Sequence, residues 1–317
     1  MVPRCTLSVV VPCYNEEASL DELHRRVAAA CSDAVGDDYE LILVNDGSSD
    51  GTWVRLGALA ARDPHVRGVD LSRNYGHQSA VTAGLSLARG ERVLLLDADL
   101  QDPPELLPVM MAKMEAGFDV VYGQRESREG DGVFKRASAA LFYRLLRRLA
   151  NVDIPKDTGD FRLMSRVVVD AFNALPEQHR FVRGMVAWLG FRQIAVPYAR
   201  DKRQHGETHY PFWKMASLAV DAVTSFSIVP LRFIVMLAGA TFLTSLLLLL
   251  YVAASWAFFK AVPGWTSLIS VVLFLGSVQL LSIGIIGEYV GRIFIESKRR
   301  PVFLIREVVQ AGPPRDV

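Results

Sequence analysis

The stretch RVLLLDADLQDPPE, residues 92–105, decides the fold. Its first half, Arg92–Leu96, is an apolar run with the length and composition of a buried strand, and acidic residues follow at once. Similar runs occur at Leu7–Val11, Glu40–Val44, Val66–Leu71 and Val120–Tyr122. Helical patterns lie between them, near Glu16–Ala30, Thr52–Ala61, His77–Ala88 and Pro104–Ala116. This alternation predicts an α/β fold with a doubly wound, mostly parallel sheet.

Polar residues follow each predicted strand, at the sheet edge where ligands bind in such folds. They occupy Pro12–Glu17, Asn45–Gly51, Ser72–Gly76, Asp97–Asp102 and Gly123–Arg125. Carboxylates that converge at one edge repel each other unless a cation or ligand compensates them. A divalent metal and a polar ligand are therefore expected. Both glycine-rich phosphate motifs are absent: no Gly-x-Gly-x-x-Gly follows the first strand, and no Lys-Ser/Thr follows Gly51.

The ordered motifs resemble those of the inverting glycosyltransferases with the GT-A fold. They are VVVPCYNEE (9–17), NDGSSDGT (45–52), SRNYG (72–76), LDADLQDPPE (96–105) and GDFRLMSR (159–166). GETHY (206–210) and GEYVGR (287–292) extend the resemblance to nearly the whole chain, which is most similar to bacterial polyprenyl-phosphate glycosyltransferases, relatives of dolichol-phosphate mannose and glucose synthases. One departure is His209, which stands where family members often have lysine.

This resemblance implies a donor site. The metal, Mg²⁺ or Mn²⁺, would be held by Asp99, Asp97 and Gln101, whose spacing puts them on one side of an extended segment. The nucleotide sugar would contact Pro12, Tyr14, Glu16, Asp46 and Asp97. Asp102, followed by two prolines, is interpreted as a helix N-terminus rather than a ligand.

The resemblance also implies an acceptor site for polyprenyl phosphate. Asp160 is the expected catalytic residue and Asp157 the alternative. A phosphate monoester is mostly dianionic at pH 7 and needs little help from a base, so Asp160 either orients or deprotonates it. The expected phosphate contacts are Arg125, Lys135, Arg136 and Arg203.

Two uncharged stretches, Phe233–Phe259 and Ala261–Gly287, each exceed the roughly 20 residues that a membrane helix needs. Basic residues flank the pair (Lys214, Arg232, Arg292, Lys298, Arg299, Arg300 and Arg306), and the connecting loop carries only Lys260. This asymmetry predicts cytoplasmic termini. The expected organisation is a catalytic domain over 1–210, an interfacial segment over 211–230, membrane helices within 231–291 (about 233–259 and 266–287) and a basic cytosolic tail over 292–317. The amphipathic segment Phe134–Ala150 fits either the membrane interface or the domain core.

The formal net charge of +1 disfavours a nucleic-acid partner. No signal-peptide pattern opens the chain, so the catalytic domain is expected to stay at the cytosolic face of the plasma membrane. The expected reaction is sugar transfer to polyprenyl phosphate with inversion, with UDP-glucose favoured over GDP-mannose and UDP-N-acetylhexosamine. The alternatives are a processive polysaccharide synthase, whose usual Gln-x-x-Arg-Trp string is missing, and a catalytically silent membrane scaffold. Related enzymes leave a homo-oligomer open.

Overall fold

The structure, a computed structural model, describes residues 5–125, 158–199, 229–259 and 264–311. These residues fall into two compact units. One unit contains the described residues up to 199 together with those from 300 onward, and the other contains the rest.

The first unit is an α/β domain built on one eight-stranded sheet. Its strands are β1 (Leu7–Cys13), β2 (Tyr39–Asn45), β3 (Val66–Leu71), β4 (Arg92–Leu95), β5 (Val120–Arg125), β6 (Thr158–Ser165), β7 (Gln193–Tyr198) and β8 (Ile305–Gln310). Its helices are α1 (Leu20–Val35), α2 (Thr52–Arg62), α3 (His77–Leu87), α4 (Leu107–Glu115, after a 3₁₀ turn at Pro104–Leu106), α5 (Arg166–Ala174) and α6 (Val182–Trp188).

The strand order is β7-β5-β6-β4-β1-β2-β3-β8. The centre, β4-β1-β2-β3, is parallel, as the alternating pattern predicts. Every residue of β1 is buried, because helices cover both faces of a parallel sheet and its strands are therefore apolar on both sides. The sheet is more mixed than expected, since β6 runs antiparallel between β4 and β5, and β8 runs antiparallel beside β3.

Two features of the fold, the start of α1 and the strand β8, differ from the predictions in ways that bear on the site. Helix α1 begins at Leu20 rather than Glu16, because the backbone N–H of Glu16 is bonded to Thr52 Oγ1 and Asn15 takes a left-handed φ of 55°. The acidic cluster at Glu16 therefore lies in a loop. Strand β8 was not predicted: the segment expected to be only a basic tail supplies an edge strand of the catalytic sheet.

The second unit contains two long helices, α7 (Val229–Phe259) and α8 (Trp265–Ser297), which contact each other. Helix α8 continues past Gly287, where the predicted span ends, to Ser297. Both contain windows long and apolar enough to cross a membrane, Val229–Leu247 and Phe274–Ser297. Many of their described large apolar side chains are exposed; Phe242 and Leu280 are each 72% exposed. This exposure disfavours a buried hairpin in a soluble core.

Candidate active site

The site lies where β1, β2 and β4 end and where β6 begins. Strand β6 runs antiparallel to β4 with Leu95 opposite Arg162. Continuing this register two residues beyond Leu95 brings Asp97 opposite Asp160, so a residue 63 positions later in the chain joins the carboxylate cluster. The parallel neighbours deliver Tyr14–Glu16 and Asp46 to the same edge.

Asp160 is a buried carboxylate, 1% exposed, with several cationic or polar partners. Arg183 Nε donates to its Oδ1 at 2.7 Å, while His77 Nε2 (2.8 Å) and Gln78 Nε2 (3.2 Å) lie beside its Oδ2. Arg162, itself buried, lies 3.9 Å away. Burial alone would raise the pKa of Asp160, but the hydrogen bond from His77 and the charges of Arg183 and Arg162 hold it well below its usual range. Asp160 is therefore ionised at every physiological pH, and both of its oxygens are engaged.

Asp97 lies in a different environment. Its Oδ1 is 3.7 Å from His77 Nε2, and this buried oxygen has no hydrogen-bond partner among the described residues. Burial, followed by the negative charge of Asp160, raises the pKa of Asp97 to about 6, although His77 opposes the shift. A half-buried carboxylate with a buried, unpaired oxygen of this kind would gain from a cation.

Asp99 and Gln101 stand in a turn rather than in the extended segment that the sequence analysis assumed. Strand β4 ends at Leu95, residues 98–99 turn, and Leu100 takes a left-handed φ of 59°. The backbone N–H of Gln101 donates to Asp99 Oδ1 at 3.1 Å, and Gln101 is buried. The three candidate metal ligands are therefore grouped by a turn, not by strand alternation.

The interpretation of Asp102 as a helix N-terminus is confirmed for its position, because a 3₁₀ turn begins at Pro104, but not for its side chain. Its side chain caps no helix and is buried, accepting a hydrogen bond from the Tyr198 hydroxyl and lying 3.5 Å from Arg125 Nη2. Burial and the neighbouring Asp102 raise the pKa of Tyr198 above its usual range, so it remains a donor. A Cβ on Gly159 would lie 2.6 Å from Arg125 Nη2, so glycine leaves room for this guanidinium. Asp102 and Tyr198 thus hold Arg125, an expected phosphate contact.

The expected nucleoside residues lie on the β1–β2 side. Tyr14 is 49% exposed, whereas Pro12 is buried in β1. Ser19 Oγ donates to Glu16 Oε2 at 2.8 Å. Asp46 is buried and accepts the backbone N–H groups of Tyr75 (2.8 Å) and Gly76 (2.9 Å), so its side chain joins the loop after β2 to the loop after β3.

The structure adds three site residues that sequence reasoning missed: His77, Gln78 and Arg183. The first two open α3 directly after a polar loop at the sheet edge, a position that could have drawn attention to them. Arg183 has no local signal, because only the tertiary fold brings α6 to Asp160. The predicted residues Asp157, Lys135, Arg136, Arg203 and His209, with the segments 134–150 and 211–228, lie outside the described residues.

The chain matches two known family models, one in each of its two parts. Residues 8–172 match the glycosyl transferase family 2 model, and residues 229–293 match the GtrB C-terminal hairpin. The chain belongs to glycosyl transferase family 2. The resemblance seen in the motifs and the GT-A-like sheet with two apolar C-terminal helices are thereby confirmed.

Relatives match over nearly their whole length. The chain is 39% identical to the bactoprenol glucosyl transferase of Shigella phage SfV, over 96% of this chain and 99% of that one. It is 38% identical to the prophage bactoprenol glucosyl transferase homolog of Escherichia coli K12, over 95% and 99%. Glucosyl-3-phosphoglycerate synthase from Mycobacterium tuberculosis, solved with Mn²⁺, UDP and glucosyl-3-phosphoglycerate, shares the fold with a TM-score of 0.50, at 20% identity over 69% of this chain and 78% of that one.

Proposed function

We propose that this glycosyltransferase moves glucose from UDP-glucose onto polyprenyl phosphate and inverts the anomeric carbon. The observation that carries the proposal is that one chain contains both the acidic site at the sheet edge and the apolar hairpin. Relatives named bactoprenol glucosyl transferases match across both parts. UDP-glucose is the donor that a glucosyl transferase of this family would use, and undecaprenyl phosphate is the bacterial acceptor of matching chemistry.

The donor site has the chemistry of a Mg²⁺ or Mn²⁺ site. Two buried carboxylate oxygens, Asp97 Oδ1 and Asp102 Oδ2, have no hydrogen-bond partner in the described part of the chain. Hard divalent cations prefer such oxygens. Asp97 and Asp99, with Gln101, would hold the ion, which when bound offsets the charge that grows on the diphosphate leaving group.

Two arginines are positioned by buried anions to receive phosphate oxygens. Arg125 is held by Tyr198 and Asp102, and Arg183 is held by Asp160. An arginine whose orientation is already fixed loses less conformational entropy when it binds a phosphate. Each is partly exposed, at 25% and 32% of the side chain, so a ligand can reach it.

Asp160 orients this site rather than acting as a base. A general base must accept a proton, and a carboxylate whose pKa lies far below its usual range does so poorly at neutral pH. The lipid phosphate is already dianionic and attacks without deprotonation. Asp160 would keep Arg183 and His77 in place while the acceptor oxygen approaches the anomeric carbon opposite the leaving diphosphate.

The two apolar helices would anchor the enzyme in the plasma membrane as a multi-pass protein, with the catalytic domain and both termini in the cytoplasm. The basic flanks support this orientation. Anchoring confines the active site to the surface where the lipid phosphate lies, which raises the effective concentration of the acceptor.

The test is transfer from radiolabelled UDP-glucose, GDP-mannose and UDP-N-acetylglucosamine to undecaprenyl phosphate by the full-length protein in detergent. We expect a lipid-extractable product from UDP-glucose alone, and loss of that product in Asp99→Asn. Asp170→Asn is the matched control, because Asp170 is exposed and forms an ion pair with Arg166 one turn earlier on the same helix. A folded protein that binds nucleotide and yields no lipid product from any donor would refute the acceptor assignment.

A further inference from the structure

We propose that Arg306, on the strand that follows the second apolar helix, is a positioning residue for the donor site. The inference rests on the proposed function in one respect: it takes the loops after β2 and β3 as the nucleotide side of the site. Strand β8, which follows the second apolar helix, would then hold the loops of the donor site in place.

Arg306 connects β8 to the end of β3 through two acceptors. Its Nη1 donates to Asp70 Oδ2 at 3.0 Å, and its Nη2 donates to the backbone carbonyl of Ser72 at 2.5 Å. The backbone N–H of Ser72 donates in turn to the carbonyl of Leu304 at 2.9 Å. The Asp70 side chain is 3% exposed, whereas that of Arg306 is 59% exposed, so a surface cation compensates a buried carboxylate.

Asp70 connects Arg306 to the loop after β2 through hydrogen bonds of Asn45. Asn45 Nδ2 donates to Asp70 Oδ1 at 2.7 Å, and Asn45 Oδ1 accepts the backbone N–H of Ser48 at 3.2 Å. Ser48 Oγ accepts the backbone N–H of Asn15 at 3.0 Å. A continuous set of hydrogen bonds therefore runs from β8 through Asp70 to the loops that carry Asp46 and Tyr14.

The loop after β3 is held by the same residues. Ser72 shares a hydrogen bond with the Tyr75 hydroxyl at 2.9 Å, and Asp46 accepts the N–H groups of Tyr75 and Gly76. Gly47, at a φ of +66°, lies so close that a Cβ there would be 2.5 Å from the backbone nitrogen of Asn74. Because the two loops are in contact, a shift of one displaces the other. Loss of Arg306 would leave the Asp70 carboxylate buried without this cation and free to reorient.

The test compares Arg306→Gln, Arg306→Lys and the control Glu307→Gln in the full-length protein. Glu307 is exposed and is the next residue on the same strand, so its substitution changes the charge by one unit, of opposite sign, at the same place. Lysine keeps a positive charge for Asp70, but a single ammonium replaces the fork that spans two acceptors. Hydrogen–deuterium exchange of the backbone amides of Ser48, Ser72, Tyr75 and Gly76 is measured first, without any ligand. The Michaelis constants for UDP-glucose and for undecaprenyl phosphate are measured next.

We expect Arg306→Gln to accelerate exchange at those four amides, to raise KM for the donor about tenfold and to leave KM for the lipid unchanged. Arg306→Lys should fall between it and the wild type, and Glu307→Gln should match the wild type. Wild-type exchange and donor KM in folded Arg306→Gln would overturn the proposal, as would faster exchange across the whole domain with equal rises in both constants. If Arg306→Gln does not fold, Arg306→Lys decides by the same criteria. A wild type that transfers no glucose refutes the proposed function, while the exchange experiment still decides the role of Arg306.

Discussion

Replacing Asp97 by asparagine should stabilise the metal-free protein while destroying its activity. Asp97 is a half-buried carboxylate whose buried Oδ1 has no hydrogen-bond partner among the described residues, and Asp160 is the neighbouring anion that affects it most. Folding therefore places a charge where it is disfavoured. Asparagine keeps the shape of the side chain and removes the charge.

The size of the effect follows from the pKa. A carboxyl group whose pKa rises from 3.8 to about 6 on folding lowers the free energy of unfolding of the protein by about 3 kcal/mol when it is ionised, at about 1.4 kcal/mol per pKa unit. About a quarter of the side chain remains exposed (24%), so water screens part of this cost. We expect a net gain of about 1–2 kcal/mol for Asp97→Asn. For a domain of this size class that corresponds to a rise in Tm of about 2–8 °C.

The sign of the pH dependence provides a second check. An acid whose pKa is raised on folding costs nothing below its unfolded pKa, and its cost grows until the pH passes the folded pKa. The advantage of Asp97→Asn should therefore be full at pH 7.5, above the folded value of about 6, and much smaller at pH 4.5. The assay is thermal unfolding in EDTA, followed by tryptophan fluorescence at both pH values, with Asp170→Asn as the surface control.

An Asp97→Asn protein that melts at or below the wild-type temperature at pH 7.5 would refute this reasoning. So would a gain of equal size at both pH values, because the gain would then not come from the carboxylate charge. Adding Mn²⁺ to the wild type should remove the difference, since the cation compensates the same charge that asparagine deletes.

Three further outcomes follow from the site. Asp160→Asn should lower the free energy of unfolding by about 3–5 kcal/mol, because the buried Arg162 and the partly exposed Arg183 lose their anion. A melting temperature within about 2 °C of the wild type would contradict that account. Gly47→Ala should cost about 1–3 kcal/mol because its φ of +66° is strained for alanine, and it should raise KM for the donor; unchanged values of both would show that the loops tolerate the shift. Treatment with EDTA should abolish transfer and added Mn²⁺ should restore it, whereas full activity after chelation would argue against a metal at the donor site.

The central sheet was predictable because its signal is local. Each of the first five strands is an apolar run that ends in polar residues, and the structure confirms all of them, with small changes in their ends. The carboxyl-edge cluster followed from the rule that parallel strands deliver their ends to one edge. Asp97, Asp99 and Gln101 lie within five residues of one another in the sequence, so their grouping needed no tertiary information.

The parts that were missed depend on distant segments. Strand β8 has the sequence IREVVQ, whose three β-branched residues favour a strand, but only the pairing with β3 shows that it belongs to the catalytic sheet. Asp102 looked like a helix start because two prolines follow it, but its partner Tyr198 lies 96 residues away. Arg183 likewise meets Asp160 only after α6 has packed onto the domain. Local patterns therefore place single residues at an edge, but they do not pair charges.

The different environments of Asp97 and Asp160 assign them different roles. Both carboxylates belong, with His77, to a group whose possible ligand atoms lie within 4.8 Å of one another, which suggests a metal site made of all three. The oxygens of Asp160, however, are already engaged by Arg183 and by His77 with Gln78, so a metal would have to displace a buried ion pair to reach them. Asp97 keeps a buried oxygen that has no such partner in the described part of the chain, and its pKa is raised rather than lowered. Neighbouring carboxyl groups whose pKa values are driven apart have distinct tasks. We infer that a cation would bind on the side of Asp97 and Asp99, while Asp160 remains the fixed anion that holds the arginine and histidine around it.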